Sequence, residues 1–189
     1  MRGPGGSALC AQDIKAGASR SSFRRAVVVG AVLIAVAHFL RVRSYGFYED
    51  DYAYVVEPLQ WTVIQLWRWL GLVLTTWPQG RPLGFALPQL AAFVAAATPH
   101  PILALYVLAY LVLLLNYSLM LALSWQESRT LAFLSAAVLA VWPADTTHIL
   151  LTHSFQLQTS LAFVLTGLLL LKRRKPVLAH AVSALSLLT

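Results

Sequence analysis

Long runs of apolar residues, separated by short polar segments, make up most of this chain. The runs cover residues 26–42, 83–98, 101–124, 130–142 continuing into 146–171, and 177–189. A helix that crosses a bilayer needs about 20 predominantly apolar residues and satisfies its own backbone hydrogen bonds. The pattern therefore predicts an all-α, polytopic transmembrane helical bundle with spans at about 25–42, 101–124, 130–142, 146–171 and 177 to the end.

Composition supports a membrane location and excludes several other classes of protein. Of the 189 residues, 59% are hydrophobic and 11% are charged, whereas a soluble domain has about 45–50% apolar and about 25% charged residues. Soluble enzymes, disordered chains and fibrous proteins are therefore excluded as first interpretations. The single cysteine, Cys10, excludes a disulfide framework and a metal site built from several cysteines.

The run at 83–98 is ambiguous, because it holds only 16 residues and contains Pro88. If it does not span, ten basic residues lie on the inner side and four on the outer side; if it spans, the counts are five and nine. Basic residues concentrate on the cytoplasmic side of membrane proteins. We therefore predict that the N-terminus is inside and that residues 43–100 form an outer interfacial region.

The two ends of the chain each allow an alternative interpretation. Residues 1–24 are predicted to be a basic cytoplasmic tail, and the run after it could be a signal peptide cleaved at Ala35-Val36-Ala37. The run continues through Leu40, which favours an uncleaved anchor. The last run has 13 residues and is too short to cross about 30 Å, so residues 25–189 are interpreted as the N-terminal part of a larger multi-span membrane domain.

The chain has 14 basic and 7 acidic residues, a net charge of +7, but its basic clusters at 1–25 and 172–175 form no groove-like pattern, so we expect the lipid bilayer, and no nucleic acid, as a partner. Three consecutive acids, Glu49, Asp50 and Asp51, follow the first helix. They are either a solvated loop or a functional cluster at the membrane surface.

An amphipathic helix is predicted at 57–74, lying on the membrane with its apolar face in the acyl boundary. The turn after it, from Gly80 to Leu83, projects Arg81. The planar guanidinium of arginine suits a phosphate group. The alternative is an arginine that extends to the lipid headgroups.

A polar stripe enters the fourth predicted helix, where the residues recur at spacings of 3, 4 and 4 and so share one face: Asp145, His148, Thr152 and Gln156. Such a stripe faces a cavity, or else Asp145 simply caps the helix. His148 and His153 point apart on a helix, so no metal site is predicted from them. A divalent cation is compatible with the acidic trio but is not required. His38 is interpreted as a packed, hydrogen-bonded side chain.

This order of features, in which an acidic motif follows the first helix and a Gly80-Arg81-Pro82-Leu83 turn follows the interfacial helix, resembles the N-terminal part of GT-C membrane glycosyltransferases. It is similar in particular to bacterial relatives of protein mannosyltransferases and to the lipid A aminoarabinose transferase. The chain departs from that pattern near the outer end of the fourth helix, where relatives often have an acid or an arginine: residues 153–158 contain neither, and the nearest acid is Asp145, several residues earlier.

The resemblance implies an enzyme of the cytoplasmic (inner) membrane that takes a sugar from a polyprenyl-phosphate donor at the outer face. It places Asp51, or as second choice Asp50, as the catalytic carboxylate and Arg81 at the donor phosphate. The remaining polar residues are expected to line the cavity: Glu49, Asp145, His148, Thr152 and Gln156. The alternatives are a transporter subunit, for which Asn116 is the candidate residue, and a non-catalytic membrane scaffold.

Overall fold

The computed structural model describes residues 6–42, 46–47, 51–141 and 151–189, and within these ranges the regular secondary structure is helical, with no strands. The predictions for Glu49, Asp50, Asp145 and His148 lie outside the described residues. Seven α-helices occur in the described ranges: α1 Gly6–His38, α2 Val63–Thr76, α3 Pro82–Ala96, α4 Pro101–Ser124, α5 Arg129–Val141, α6 Leu151–Lys172 and α7 Pro176–Ser186.

Three of these helices are long and apolar enough to cross a membrane, over Ser21–His38, Pro101–Ser124 and Leu151–Lys172. They coincide with three of the five predicted spans and support the prediction of a membrane protein. The described parts of α5 and α7 have 13 and 11 residues, or about 20 and 16 Å at 1.5 Å per residue. Both are shorter than the hydrocarbon core of a bilayer.

Helix α1 begins at Gly6, well before the predicted start at residue 25. No proline occurs between Gly6 and His38, so nothing interrupts the hydrogen-bond ladder of the helix. Most of the predicted basic tail is therefore a continuation of the first helix.

The predicted interfacial helix at 57–74 is divided into two elements. Glu57–Gln60 form a 3-10 turn, the backbone is extended at Trp61, and α2 starts again after Thr62. The Thr62 hydroxyl accepts from the Gln65 amide, and the Gln65 side chain accepts from the Thr62 amide, which is a capping box. These two hydrogen bonds provide partners for backbone N–H groups that the helix itself leaves without one, and they fix the start of α2 at Thr62.

Helices α1 and α4 are antiparallel, as their tyrosine hydrogen bonds show. The Tyr117 hydroxyl donates to the carbonyl of Ala26 over 3.0 Å, and the Tyr110 hydroxyl donates to Ala31 over 3.1 Å. Gly30 allows the helices to approach closely, since a Cβ there would lie 2.2 Å from the Tyr117 ring. Residues later in α4 thus meet residues earlier in α1.

Helices α4 and α6 are parallel, with α5 returning between them in the chain. Asn116 Nδ2 donates to the Gln158 carbonyl over 2.8 Å, and Lys172 Nζ donates to Glu127 Oε1 over 2.8 Å just beyond the end of α4. Consequently α1 ends, and α4 and α6 begin, at the same end of the bundle, which we call the upper end. The predicted orientation, which stays a prediction, places the upper end outside the cell.

Helix α3 packs its small residues against α4 and the segment before α2. Ala92 and Ala95 share a buried cluster with Leu105, Tyr106 and Val55. On the outside of the bundle, large apolar side chains remain exposed at helical spacing, including Val107, Leu111 and Leu115 of α4. Such a continuous apolar surface is typical of a helix that faces lipid or another protein.

Candidate functional site

Asp51 is fully buried at the upper end of the bundle and holds the start of α6. Its Oδ1 accepts from the Thr152 backbone amide over 2.8 Å and from the Thr152 hydroxyl over 2.7 Å, and its Oδ2 accepts from the Leu151 amide over 3.4 Å. The first amides of a helix lack partners within the helix and favour a negative charge. We call this group, formed by Asp51, Leu151 and Thr152, the Asp51 clamp.

The clamp explains how an anionic side chain can be buried here. A carboxylate out of contact with water is costly unless hydrogen bonds replace its hydration, and Asp51 receives three such bonds from α6. Lone pairs that accept these bonds are not free to take a proton from a substrate. The geometry therefore favours a positioning role for Asp51, while its predicted catalytic role stays a prediction.

A polar pocket of about 350 Å³ lies beside the clamp in the upper half of the bundle. Four chain segments surround it: the turn after Asp51, the turn before α3 with the start of α3, the second turn of α6, and the region after α7. We call it the Arg81 pocket, and its described lining consists of Tyr54, Gln79, Arg81, Gly84, Phe85, His153, Gln156, Leu157 and Thr189.

The turn between α2 and α3 has a constrained backbone that presents Arg81. Trp77 and Gln79 have positive φ angles of 48° and 53°, and Gly80 has 73°. The Gly80 amide donates to the Trp77 carbonyl and the Arg81 amide donates to the Pro78 carbonyl, both over 3.0 Å. Left-handed conformations are costly for residues with a Cβ and are concentrated at functional sites.

The opposite wall of the pocket is one face of α6. Gln156 and Leu157 follow His153 by three and four positions, so the three side chains lie together on the helix surface. Because the Asp51 clamp holds Thr152, it fixes the helical turn from which His153 and Gln156 project. Asp51 and Thr152 themselves are not among the described residues that line this pocket.

The start of α3 meets the segment after α7 at the edge of the pocket. The Leu83 and Gly84 amides both donate to the carbonyl of Leu188, over 2.7 and 3.2 Å. A Cβ on Gly84 would come within 2.4 Å of the Thr189 carbonyl oxygen. The absence of a side chain at Gly84 therefore permits this close contact.

The charge of the pocket comes from Arg81, whose guanidinium is permanently protonated. Its side chain is exposed, and no carboxylate pairs with it in the part of the chain that the structure describes. Nor do the described residues include any group of three side chains able to hold a metal ion. Among the described residues, the pocket therefore combines a cation that has no ion-pair partner with side chains able to form hydrogen bonds.

Two other described cavities are apolar. One of about 350 Å³ lies between the end of α3 and the start of α4, and one of about 400 Å³ lies between α3, α4 and α6. Their linings are dominated by leucine, valine and alanine, as in Leu108 and Val112. Of these three cavities, only the Arg81 pocket combines a cation with polar side chains.

The sequence predicted two of the pocket residues, Arg81 and Gln156, and the structure brings them together. It also adds Tyr54, Gln79 and His153, which the sequence analysis did not place in a site. The sequence feature that could have placed His153 in the site is its position three residues before Gln156, on the same face of a helix. His38, interpreted as a hydrogen-bonded residue, contacts the Ala140 carbonyl through Nε2 over 2.8 Å.

In comparisons with known proteins, no family model matches the chain, and no curated protein or solved structure matches it. The fold and the site together define an all-helical protein with three helices able to span a membrane and a polar, cationic pocket at the upper end of its bundle.

Proposed function

We propose that this chain functions in a GT-C-type membrane glycosyltransferase, which moves a sugar from a polyprenyl-phosphate donor to an acceptor hydroxyl at the outer membrane face. The observation that carries the proposal is the cationic Arg81, which has no ion-pair partner among the described residues, in a polar pocket beside helices that are able to span a membrane. A lipid-linked phosphate needs both an apolar environment for its chain and a cation for its head.

Arg81 holds the donor phosphate in this proposal. A guanidinium presents its N–H donors in a fixed fork that matches two phosphate oxygens. Negative charge accumulates on the phosphate as the bond to the sugar breaks, and a fixed cation stabilises that charge most in the transition state. The tight Trp77–Gly80 turn holds the arginine backbone in place.

The transfer step needs one carboxylate as a general base. The acceptor oxygen forms a bond to the anomeric carbon and gives its proton to the carboxylate, while the polyprenyl phosphate leaves with the electron pair of the broken bond. Asp50 and Asp51 are the candidates. The hydrogen bonds to Asp51 favour Asp50 as the base and Asp51 as the residue that positions α6.

The transporter alternative receives less support from the helices. Asn116 and Gln158 are both buried, and Asn116 Nδ2 donates to the Gln158 side chain over 2.9 Å as well as to its carbonyl. These two polar side chains hold α4 to α6 instead of lining an open path between them. The scaffold alternative accounts for the Asp51 clamp but leaves the Arg81 pocket unexplained.

A binding experiment in lipid nanodiscs tests the proposal. Farnesyl phosphate serves as a short donor analogue and farnesol as the uncharged control. We expect Arg81→Gln to weaken farnesyl phosphate binding by about 10- to 100-fold, as charge-assisted hydrogen bonds contribute about 1.5–3 kcal/mol. Arg68→Gln is the matched control, because Arg68 is exposed on α2 and does not line the pocket.

Two outcomes would contradict the proposal. One is equal binding of farnesyl phosphate and farnesol by the unaltered protein. The other is an equal effect of the Arg81 and Arg68 substitutions, which would mean that Arg81 only contacts lipid headgroups.

The orientation is tested separately with the single cysteine. A membrane-impermeant maleimide should label Cys10 only after the cells are permeabilised, whereas Thr62→Cys in a Cys10→Ser background should react in intact cells. The reverse pattern would place the Arg81 pocket on the cytoplasmic side and end the outer-face proposal.

A further inference from the structure

We propose that Tyr54, together with Gln79 and Gln156, binds a single neutral sugar ring next to the phosphate held by Arg81. This inference rests on the proposed function and names the substrate class of the same pocket. It adds specificity-determining residues on the walls that face the guanidinium.

The size of the pocket limits the ligand. A volume of about 350 Å³ is near the lower end of the range for small-molecule sites. This is enough room for a phosphate and one sugar ring, while the lipid chain lies along the apolar exterior of the bundle. An oligosaccharide would have to extend beyond the pocket.

An aromatic pair provides the apolar part of the wall. The rings of Tyr54 and Phe85 lie edge to face, with centroids 5.5 Å apart and an angle of 68°. Phe85 thereby supports the half-buried Tyr54, and the buried Val55 anchors the adjacent backbone. Tyrosine combines an apolar ring with a hydroxyl, which suits the C–H face and the hydroxyl edge of a sugar.

Two amide side chains provide the polar part. Gln79 lies on the turn that carries Arg81, and Gln156 lies on α6. Each amide can both donate and accept hydrogen bonds, as sugar hydroxyls also do. Neither side chain has a hydrogen-bond partner within the described ranges, so both are available to a ligand.

The charge of the pocket favours a neutral sugar over an amino sugar. Arg81 attracts the donor phosphate but repels a second cation placed within a few ångströms of it. A sugar that carries an ammonium group would therefore bind less favourably than one that carries only hydroxyls.

The test compares bare farnesyl phosphate with farnesyl phosphate linked to mannose, glucose, arabinose or 4-amino-4-deoxyarabinose, using the protein in nanodiscs. We expect at least one neutral conjugate to bind about tenfold more tightly than bare farnesyl phosphate. Tyr54→Ala and Gln156→Ala should reduce this sugar-dependent gain, taken as the ratio of the two affinities within each variant, to about one.

The matched control is Trp67→Ala, since Trp67 is an exposed aromatic residue on α2 outside the pocket. Tyr54→Phe keeps the ring and should retain most of the sugar-dependent gain in affinity. It thereby distinguishes the loss of the ring from a folding defect. Circular dichroism of each variant checks that the helix content is unchanged.

The outcomes separate this inference from the proposed function. If farnesyl phosphate binds through Arg81 but no neutral conjugate binds more tightly, or if only the amino sugar does, the sugar site is wrong while the phosphate site stands. If the gain persists in Tyr54→Ala and Gln156→Ala, other residues bind the sugar. If no phosphate-bearing ligand binds in an Arg81-dependent way, the proposed function itself fails.

Discussion

The Asp51 clamp and the Arg81 pocket involve consecutive turns of α6. They differ in whether the charged side chain has partners within the described part of the fold. Asp51 is fully buried, and three donors from α6 satisfy its carboxylate. Arg81 is exposed at the pocket, and no ion pair in the described part of the chain involves it. A charge satisfied within the fold stabilises structure, whereas an unsatisfied charge held in a constrained turn is available for a ligand.

The largest expected effect concerns the clamp. Asp51→Ala leaves the Leu151 and Thr152 amides and the Thr152 hydroxyl without this partner in a buried environment, which should lower the free energy of unfolding by about 3 kcal/mol. Unfolding of the protein in mixed detergent micelles measures this loss in the free energy of unfolding. Glu57→Ala is the control, because Glu57 is an exposed acid in the same segment; an equal loss in both variants would contradict the clamp.

A second comparison uses two α6 residues one turn apart. Thr152→Val removes one hydrogen bond to Asp51 and should destabilise the protein by about 1–1.5 kcal/mol. Gln156→Leu faces the pocket and should change the free energy of unfolding by less than about 0.5 kcal/mol. Equal destabilisation by both would remove the distinction between the two turns of α6.

The turn that presents Arg81 allows a test with glycines. Gly80 has a φ of 73°, so Gly80→Ala should destabilise the protein by about 1 kcal/mol. Gly71→Ala in α2 should stabilise it by about 0.5 kcal/mol, because Gly71 is helical and its Cβ would meet nothing within 4 Å. If both substitutions change stability with the same sign, the turn is not strained.

The smallest effect on stability is expected at Arg81. Its side chain has no described partner, so Arg81→Gln should change the free energy of unfolding by less than about 0.5 kcal/mol, even though it should abolish most phosphate binding. A loss of several kcal/mol in the same micelle unfolding assay would show that Arg81 is structural, like Asp51.

The local features of this fold could be predicted from the sequence. Apolar runs located α4 and α6, and the turn between α4 and α5 falls between the predicted spans 101–124 and 130–142. The start of α2 was also readable, since Thr62 and Gln65 have the spacing of a capping box. The prediction of an unbroken helix at 57–74 overlooked that signal.

The long-range features could not be predicted from one sequence. Asp51 and Thr152 are separated by 101 positions, and no periodicity or spacing connects them. The same holds for Tyr54 and His153, which reach the pocket through tertiary packing. Arg81 was identifiable because its chemistry and its turn are both local, whereas the burial of Asp51 depends on how α6 packs.

The most direct measurement of the central claim is to locate the bound phosphate. Farnesyl phosphate that carries a benzophenone can be crosslinked to the protein in nanodiscs and mapped by mass spectrometry. The account predicts labels within 79–85 and 153–157 that unlabelled farnesyl phosphate competes away and that Arg81→Gln removes. Labels spread over the exposed faces of α1 and α4, without competition and unchanged by Arg81→Gln, would contradict it.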